Sequence, residues 1–234
     1  MAHLEQQEFL KNCLGEIVIL KNKEILEVLE VGSYKVNAKN SFRHLIPNSK
    51  YIGIDLIKGP EVDIVMNGCE IEKLNKKFDI IISGECFEHA SNWKEIFSSM
   101  VQNIKDDGFV VLTMASKGRI EHGTSRSNPL ESPGTNDEYY KNLTKNDFLK
   151  NFEIKNIFEE YFFFYNIHSF DLYFFGAKKK TKNNLSNNLK KKTFQSNLKF
   201  LKILTIKRYI MSSLLPEKIY QDLHFFNKNR KKKN

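Results

Sequence analysis

Short apolar runs alternate with polar, helix-like stretches along the first 177 residues. Strands are expected at 25–31, 51–56, 62–66, 78–83 and 109–114, each a compact apolar run. Between 88 and 104, Trp93, Ile96, Phe97, Met100, Val101 and Ile104 recur at three- and four-residue spacing, which predicts a helix with one buried face. Asp106-Asp107-Gly108 is expected to end that helix and turn the chain into the next strand. Thr144 with Asp147 predicts a capping box opening a helix through Asn151. Two β-rich runs follow, 154–164 and 170–177, joined by so few residues that no crossover helix fits, so they should be antiparallel. Strands alternating with helices imply a parallel sheet covered on both faces, here finished by an antiparallel hairpin.

Beyond Ala177 the pattern changes. Lys178-Lys179-Lys180 and an Asn/Lys-rich stretch to Lys192 read as a linker. Residues 194–215 are amphipathic: Phe194, Leu198, Leu201, Leu204, Ile206, Ile210 and Leu214 can share a face, with Lys199, Lys202, Lys207 and Arg208 elsewhere. Pro216 should end that helix.

Charge sharpens this division. The chain carries 37 Lys+Arg and 28 Asp+Glu, a net of +9, which on its face suggests a nucleic-acid partner. Residues 178–234 hold 17 of the basic and 2 of the acidic side chains, a net of +15, leaving −6 for residues 1–177. An acidic body, 1–177, therefore carries a basic extension, 178–234. The extension has three readings: a helix on an anionic membrane surface, a grip on nucleic acid, or a docking or capping element of biased composition. The excess of 32 Lys over 5 Arg, with 24 Asn spread along the chain, favours composition first and peripheral membrane contact second. Nucleic acid comes last, because phosphate and base readout draw on the arginine fork.

Composition excludes other classes. A 41% hydrophobic chain with 19 Phe can fill a core, so global disorder is not expected. The most apolar stretch, 159–177, is broken by Asn166, His168, Ser169 and Asp171 and does not read as a membrane span. The opening residues lack the basic-then-apolar order of a signal peptide. Cys13, Cys69 and Cys86 are not spaced as a metal knuckle, so no metal is expected, and a cytoplasmic, reducing setting is the simple reading.

The chemistry concentrates at strand ends. Leu29-Glu30-Val31-Gly32-Ser33 puts an acid and a glycine where the backbone can pass beneath a nucleotide-type ligand. Tyr51-Ile52-Gly53-Ile54-Asp55 then places a carboxylate 23 residues after Gly32, the spacing at which an acid meets a ribose diol. Two readings compete, a dinucleotide oxidoreductase and a methyltransferase. The stretch Gly32-Ser33-Tyr34-Lys35-Val36-Asn37 lacks the second and third glycines that let a pyrophosphate approach. A cofactor without phosphate tolerates Tyr34 better, and the antiparallel final hairpin points the same way.

These segments, with Val62-Asp63-Ile64-Val65, Phe78-Asp79-Ile80-Ile81-Ile82-Ser83, residues 85–89 and residues 106–113, resemble class I S-adenosylmethionine-dependent methyltransferases of the type 11 branch over about residues 24–177. The resemblance implies an α/β, Rossmann-like three-layer sandwich with a seven-stranded, mostly parallel sheet and an antiparallel last strand. It also implies roles. Glu30, Gly32 and Ser33 would border the methionine part of S-adenosylmethionine, and Asp55 with Leu56 the ribose. Asn67, in place of the family's usual Asp, would accept from the adenine amino group, with Gly68 and Cys69 along the adenine edge. Ser83, Gly84 and Glu85 would face the methyl group. His89 and His122 are candidate proton acceptors, and His122, Tyr139 and Tyr140 candidate lining residues of the acceptor site, which the family builds from the long loop after strand five. The expected activity is in-line methyl transfer to a small-molecule or glycan-type acceptor. The alternatives are a non-catalytic adenosine-ligand module acting through its basic tail and, behind it, a nucleic-acid methyltransferase.

Overall fold

The computed structural model describes residues 4–22, 25–37, 41–135, 138–181, 184–198 and 203–232. Seven strands, β1 (Leu26–Val31), β2 (Ser49–Asp55), β3 (Ile64–Val65), β4 (Phe78–Gly84), β5 (Ile104–Ala115), β6 (Glu160–Asn166) and β7 (Asp171–Ala177), form one sheet in the order β3-β2-β1-β4-β5-β7-β6. β1 to β5 pair in parallel, and β7 runs antiparallel to both β5 and β6. The architecture is therefore the Rossmann-like sandwich, with its last strand antiparallel, expected above.

Side chains alternate across the sheet, so adjacent residues serve two different cores. Val28, Ile80, Ile82 and Val111 pack with Phe9, Leu10, Cys13 and Leu14 of α1 (Leu4–Lys21). Their neighbours Leu29, Ile81, Val110 and Leu112 pack with Trp93, Phe97 and Met100 of α2 (Trp93–Asn103). Each fully buried large side chain contributes about 1.5–3 kcal/mol relative to exposure, and both layers are rich in Phe. The pattern did not announce α1, because Val18, Ile19 and Leu20 are exposed and blur its apolar stripe.

The helix expected from 88 begins at Trp93, and three larger differences from the sequence expectation follow. α2 ends at Asn103, not at Asp106-Asp107-Gly108: Ile104 already pairs with Phe78, and the acidic turn lies in an irregularity before Phe109 pairs with Ile80. Buried Asp79 sits opposite that irregularity and holds Lys105 at 2.8 Å. Residues Ile154–Ile157 form a helical turn, α4, rather than the start of a strand. The preceding helix, α3 (Lys145–Asn151), carries the expected capping box between Thr144 and Asp147.

The third difference concerns the extension. The stretch to Lys192 is not a linker throughout, because α5 (Leu185–Leu198) packs on the body with Leu185 and Leu189 buried in the α1 layer. Glu160 of β6 accepts the Thr181 and Ser186 backbone N–H groups, fixing where α5 begins. Two leucines four residues apart in an otherwise Asn/Lys-rich sequence make a stripe too thin to stand out, yet wide enough to dock. The helix expected over 194–215 is divided between α5 and α6 (Ile203–Leu214), and residues 199–202 lie outside the described residues. Of its expected apolar face, Phe194, Leu198, Ile206, Ile210 and Leu214 are exposed; Leu201 and the Leu204 side chain lie outside the described set. Pro216 separates α6 from a further helix, α7 (Glu217–Lys232). Among the described residues no helix is long and apolar enough to cross a membrane.

Candidate functional site

From β1 the chain winds outward to β2 and β3, then returns to β4 and β5 on the other side. Beyond the carboxyl ends of β1 and β4 the two connections diverge and leave a crevice, the place where open α/β sheets bind ligands. A cavity of about 450 Å³ opens there, a size typical of small-ligand sites.

One side of the cavity is made by the strand ends. Gly32, at φ +78°, ends β1, and a Cβ there would stand 2.6 Å from Cys86 Cβ, so only glycine passes beneath the cavity at this point. Asp55 is oriented by backbone donors: Tyr34 N–H reaches one oxygen at 3.0 Å and Leu56 N–H the other at 2.7 Å. Burial raises its carboxyl above the usual range, against these bonds and a further one from the Ile57 backbone. Tyr34 lies in the wall and gives its N–H to Asp55. Asn67 caps a short 3-10 segment through Cys69 N–H at 3.0 Å, and Asn92 donates to Cys69 Sγ at 3.0 Å. Glu85 follows β4 at φ +55°, an unusual backbone for a residue with a side chain, and its N–H donates to Thr113 O.

The opposite side is made by the loop after β5 and by the residues after β4. His89 and His122 lie 5.0 Å apart between ring centroids, and Tyr140 sits 5.5 and 5.2 Å from them. Both imidazoles line the cavity. Burial lowers His89 to about 4 and His122 to about 2, so both are neutral near pH 7. The loop is held by polar contacts rather than by a strand ladder. Asn142 donates to Arg119 O at 2.8 Å, and the Arg119 guanidinium reaches Ser169 O at 2.9 Å and buried Asp171 at 3.3 Å. The helix α7 also closes on it: Gln221 donates to Arg119 O and accepts from Glu121 N–H, while Asp222 pairs with Arg126 at 2.8 Å.

Of the expected site residues, Gly32, Asp55, Leu56, Asn67, Gly68, Gly84, Glu85, His89 and His122 line this one cavity. Others do not. Glu30 points to the α1 side of the sheet, buried, where Tyr51 donates to it at 2.5 Å and burial pushes its carboxyl up to about 8. Ser33 is buried against Gly53, and Ser83 donates to Val31 O at 2.8 Å, tying β4 to β1 beneath the floor. Cys69 and Tyr139 are half-buried away from the wall, and Tyr140 stands behind the two imidazoles with its hydroxyl on Asn142 and Ile120 O. Strand alternation explains Glu30: its neighbour Val31 takes the cavity side. Residues 131–135 of the long loop, Asn92 and Ile96 also line the cavity; the sequence singled out none of them for the site, because loop and helix packing brings them there.

A family described as methyltransferase domain matches residues 5–170. The chain belongs to that family. The methyltransferase fold also recurs among solved structures. The plantazolicin methyltransferase BpumL in complex with SAH has a TM-score of 0.53 at 12% identity, with 75% of this chain and 85% of that one covered. BpumL with a triazolic desmethylPZN analog and SAH gives 0.52 at 14% identity, covering 86% and 81%. The Burkholderia thailandensis 1,6-didemethyltoxoflavin-N1-methyltransferase gives 0.48 at 10%, covering 74% and 79%. No curated protein matches the chain. By family and fold the protein is an S-adenosylmethionine-dependent methyltransferase of the class I type.

Proposed function

We propose that this methyltransferase holds S-adenosylmethionine along Gly32, Asp55, Asn67 and Glu85 and passes its methyl group to a small-molecule or glycan-type acceptor beside His89 and His122. The observation that carries this reading is the continuity of the cavity, which joins the strand-end wall to the two imidazoles without a barrier. Asp55, oriented by Tyr34 and Leu56, keeps lone pairs for a ribose diol. Gly32 lets the backbone lie close under the cofactor's amino-acid portion, and Asn67 and Gly68 flank the adenine side.

The reaction asks the protein mainly for alignment. The sulfonium is already an activated leaving group, so the acceptor nucleophile needs to be held in line, about 3–3.5 Å from the methyl carbon. The neutral imidazoles offer lone pairs on the acceptor side of the cavity, where a hydroxyl or ammonium must lose its proton. A cavity of about 450 Å³ that also admits the cofactor leaves room for a small acceptor group rather than a bulky one.

Calorimetry with S-adenosylmethionine and S-adenosylhomocysteine tests the cofactor half directly. Binding of both at one site is expected, and a folded protein that binds neither would sink the reading. Methyl transfer from labelled cofactor to panels of sugars, small acids and amines then tests the acceptor half.

A further inference from the structure

Three side chains of the acceptor end have more in common than the cavity wall. Glu88, His89 and His122 are all buried, and one metal-competent ligand atom of each lies within 4.8 Å of the others. Each also holds an atom with no hydrogen-bond partner: Glu88 Oε2, His89 Nδ1 and His122 Nε2. Buried polar atoms of this kind are normally satisfied, and an unsatisfied one on each of the three residues of a single cluster points to a shared missing partner.

The surroundings fit that role. His122 Nδ1 lies 3.1 Å from Ile120 O, so it carries the proton and leaves Nε2 as a lone pair. A backbone carbonyl orienting one imidazole nitrogen while the other binds metal is the usual outer support of such a ligand. Glu88 is oriented likewise, with Oε1 accepting Ala115 N–H at 3.1 Å and Oε2 left over. At Gly123, φ +74°, a Cβ would come within 2.7 Å of His89 Cε1 and 3.2 Å of its Nδ1, so the glycine keeps that side of the ring clear. Hydrogen-bonded structural roles account for Glu88 Oε1 and His122 Nδ1, but not for the three remaining atoms.

We propose that Glu88, His89 and His122 form a binding site for a divalent transition-metal ion of the zinc type at the acceptor end of the cavity. Two imidazoles and a carboxylate are a ligand set suited to zinc and its neighbours and not to magnesium, which favours oxygen donors. Tetrahedral bonds of about 2.0–2.1 Å place ligand atoms roughly 3.3 Å apart, so inward shifts on the order of 1 Å would close the set. His89 and His122 also line the cavity, so the fourth position opens on it. There the ion would take an acceptor bearing a hydroxyl, thiol or carboxylate donor, and, with both imidazole lone pairs serving as its ligands, the ion rather than a histidine base would acidify that donor, a role that rests on the reading of this cavity as the acceptor site.

The test uses the full chain, prepared without a metal-affinity step and stripped with chelator. It is titrated with Co²⁺, Zn²⁺ and Mg²⁺, following cobalt absorption and total metal, with S-adenosylhomocysteine calorimetry on the same samples. One Co²⁺ per chain, displaced by Zn²⁺, is expected. Glu88→Gln and His122→Ala should each weaken uptake by about 10–100-fold or more, with S-adenosylhomocysteine affinity unchanged. His122 lies on a loop, so its variant stays informative if the buried Glu88 variant misfolds. A folded, S-adenosylhomocysteine-binding wild type that takes up neither ion overturns the site, as does uptake surviving His122→Ala or a preference for Mg²⁺ over Zn²⁺. Metal uptake without S-adenosylhomocysteine binding would support the site while removing the cofactor reading.

Discussion

The two walls of the cavity are built on different principles. The wall proposed for the cofactor is an outgrowth of the sheet: Gly32, Asp55 and Glu85 lie at the ends of strands whose register is locked by ladders and by two apolar cores. The wall proposed for the acceptor is a loop held by polar contacts from Arg119, Asn142 and Gln221. A wall on strand ends is fixed by everything that stabilises the fold. A wall on a tethered loop can change its lining without disturbing the sheet. On the proposed reading, the common chemistry, cofactor binding, falls to the rigid side and acceptor choice to the adjustable side.

The largest expected effect breaks the rigid side. Gly32→Ala forces a side chain into φ +78° and against Cys86, costing about 2–4 kcal/mol from backbone strain and overpacking. Urea unfolding measures the loss, and an unchanged midpoint would show that the turn relaxes freely. Next, Asp55→Ala should weaken S-adenosylhomocysteine binding by about 1–3 kcal/mol, with a smaller loss of stability from the freed Tyr34 and Leu56 N–H groups. Calorimetry beside a melting curve separates the two.

Glu30→Gln probes the support beneath that wall through pH. Burial raises the folded carboxyl from 4.5 to about 8, so below pH 4.5 both states are protonated and the contribution is complete. Between 4.5 and 8 only the unfolded chain ionises, and stability falls as pH rises by up to about 1.4 kcal/mol per unit. Above 8 the folded state ionises too and the fall stops. The amide variant should lack this slope, and parallel slopes for both proteins would place the carboxyl's titration elsewhere.

The smallest effect belongs to the tethered wall. Gln221→Ala removes the bonds from α7 to Arg119 O and Glu121 N–H, each worth about 0.5–1.5 kcal/mol. Acceptor KM should rise with cofactor affinity unchanged. A shift in cofactor affinity instead would mean the two walls are coupled.

The same contrast explains what could be read in advance. Strand ends are legible because apolar runs mark the strands, and Gly32 and Asp55 sit at their polar termini. Glu30 sits one position from the cavity-lining Val31, and period-two alternation turns it to the other face. The acceptor wall was legible only as a long loop with histidines. That His89, with its neighbour Glu88, meets His122 and Tyr140 depends on packing between segments 18 to 51 residues apart in the chain. The basic extension shows the limit most clearly. Its charge suggested a separate module, yet Leu185 and Leu189 dock α5 on the body, and the only two acids of the extension, Glu217 and Asp222, bond Asn142 and Arg126 of the acceptor loop.

By itself the sequence determined the alternation of strands and helices, the antiparallel ending, the capping box at Thr144 and the glycine and acid of the cofactor wall. Each is a local matter of periodicity, backbone freedom or spacing along the chain. Only the tertiary structure decided which face Glu30 takes, which buried atoms go unsatisfied at Glu88, His89 and His122, and where the basic helices rest. Those outcomes depend on distances between remote segments, and such distances are set by how whole surfaces pack.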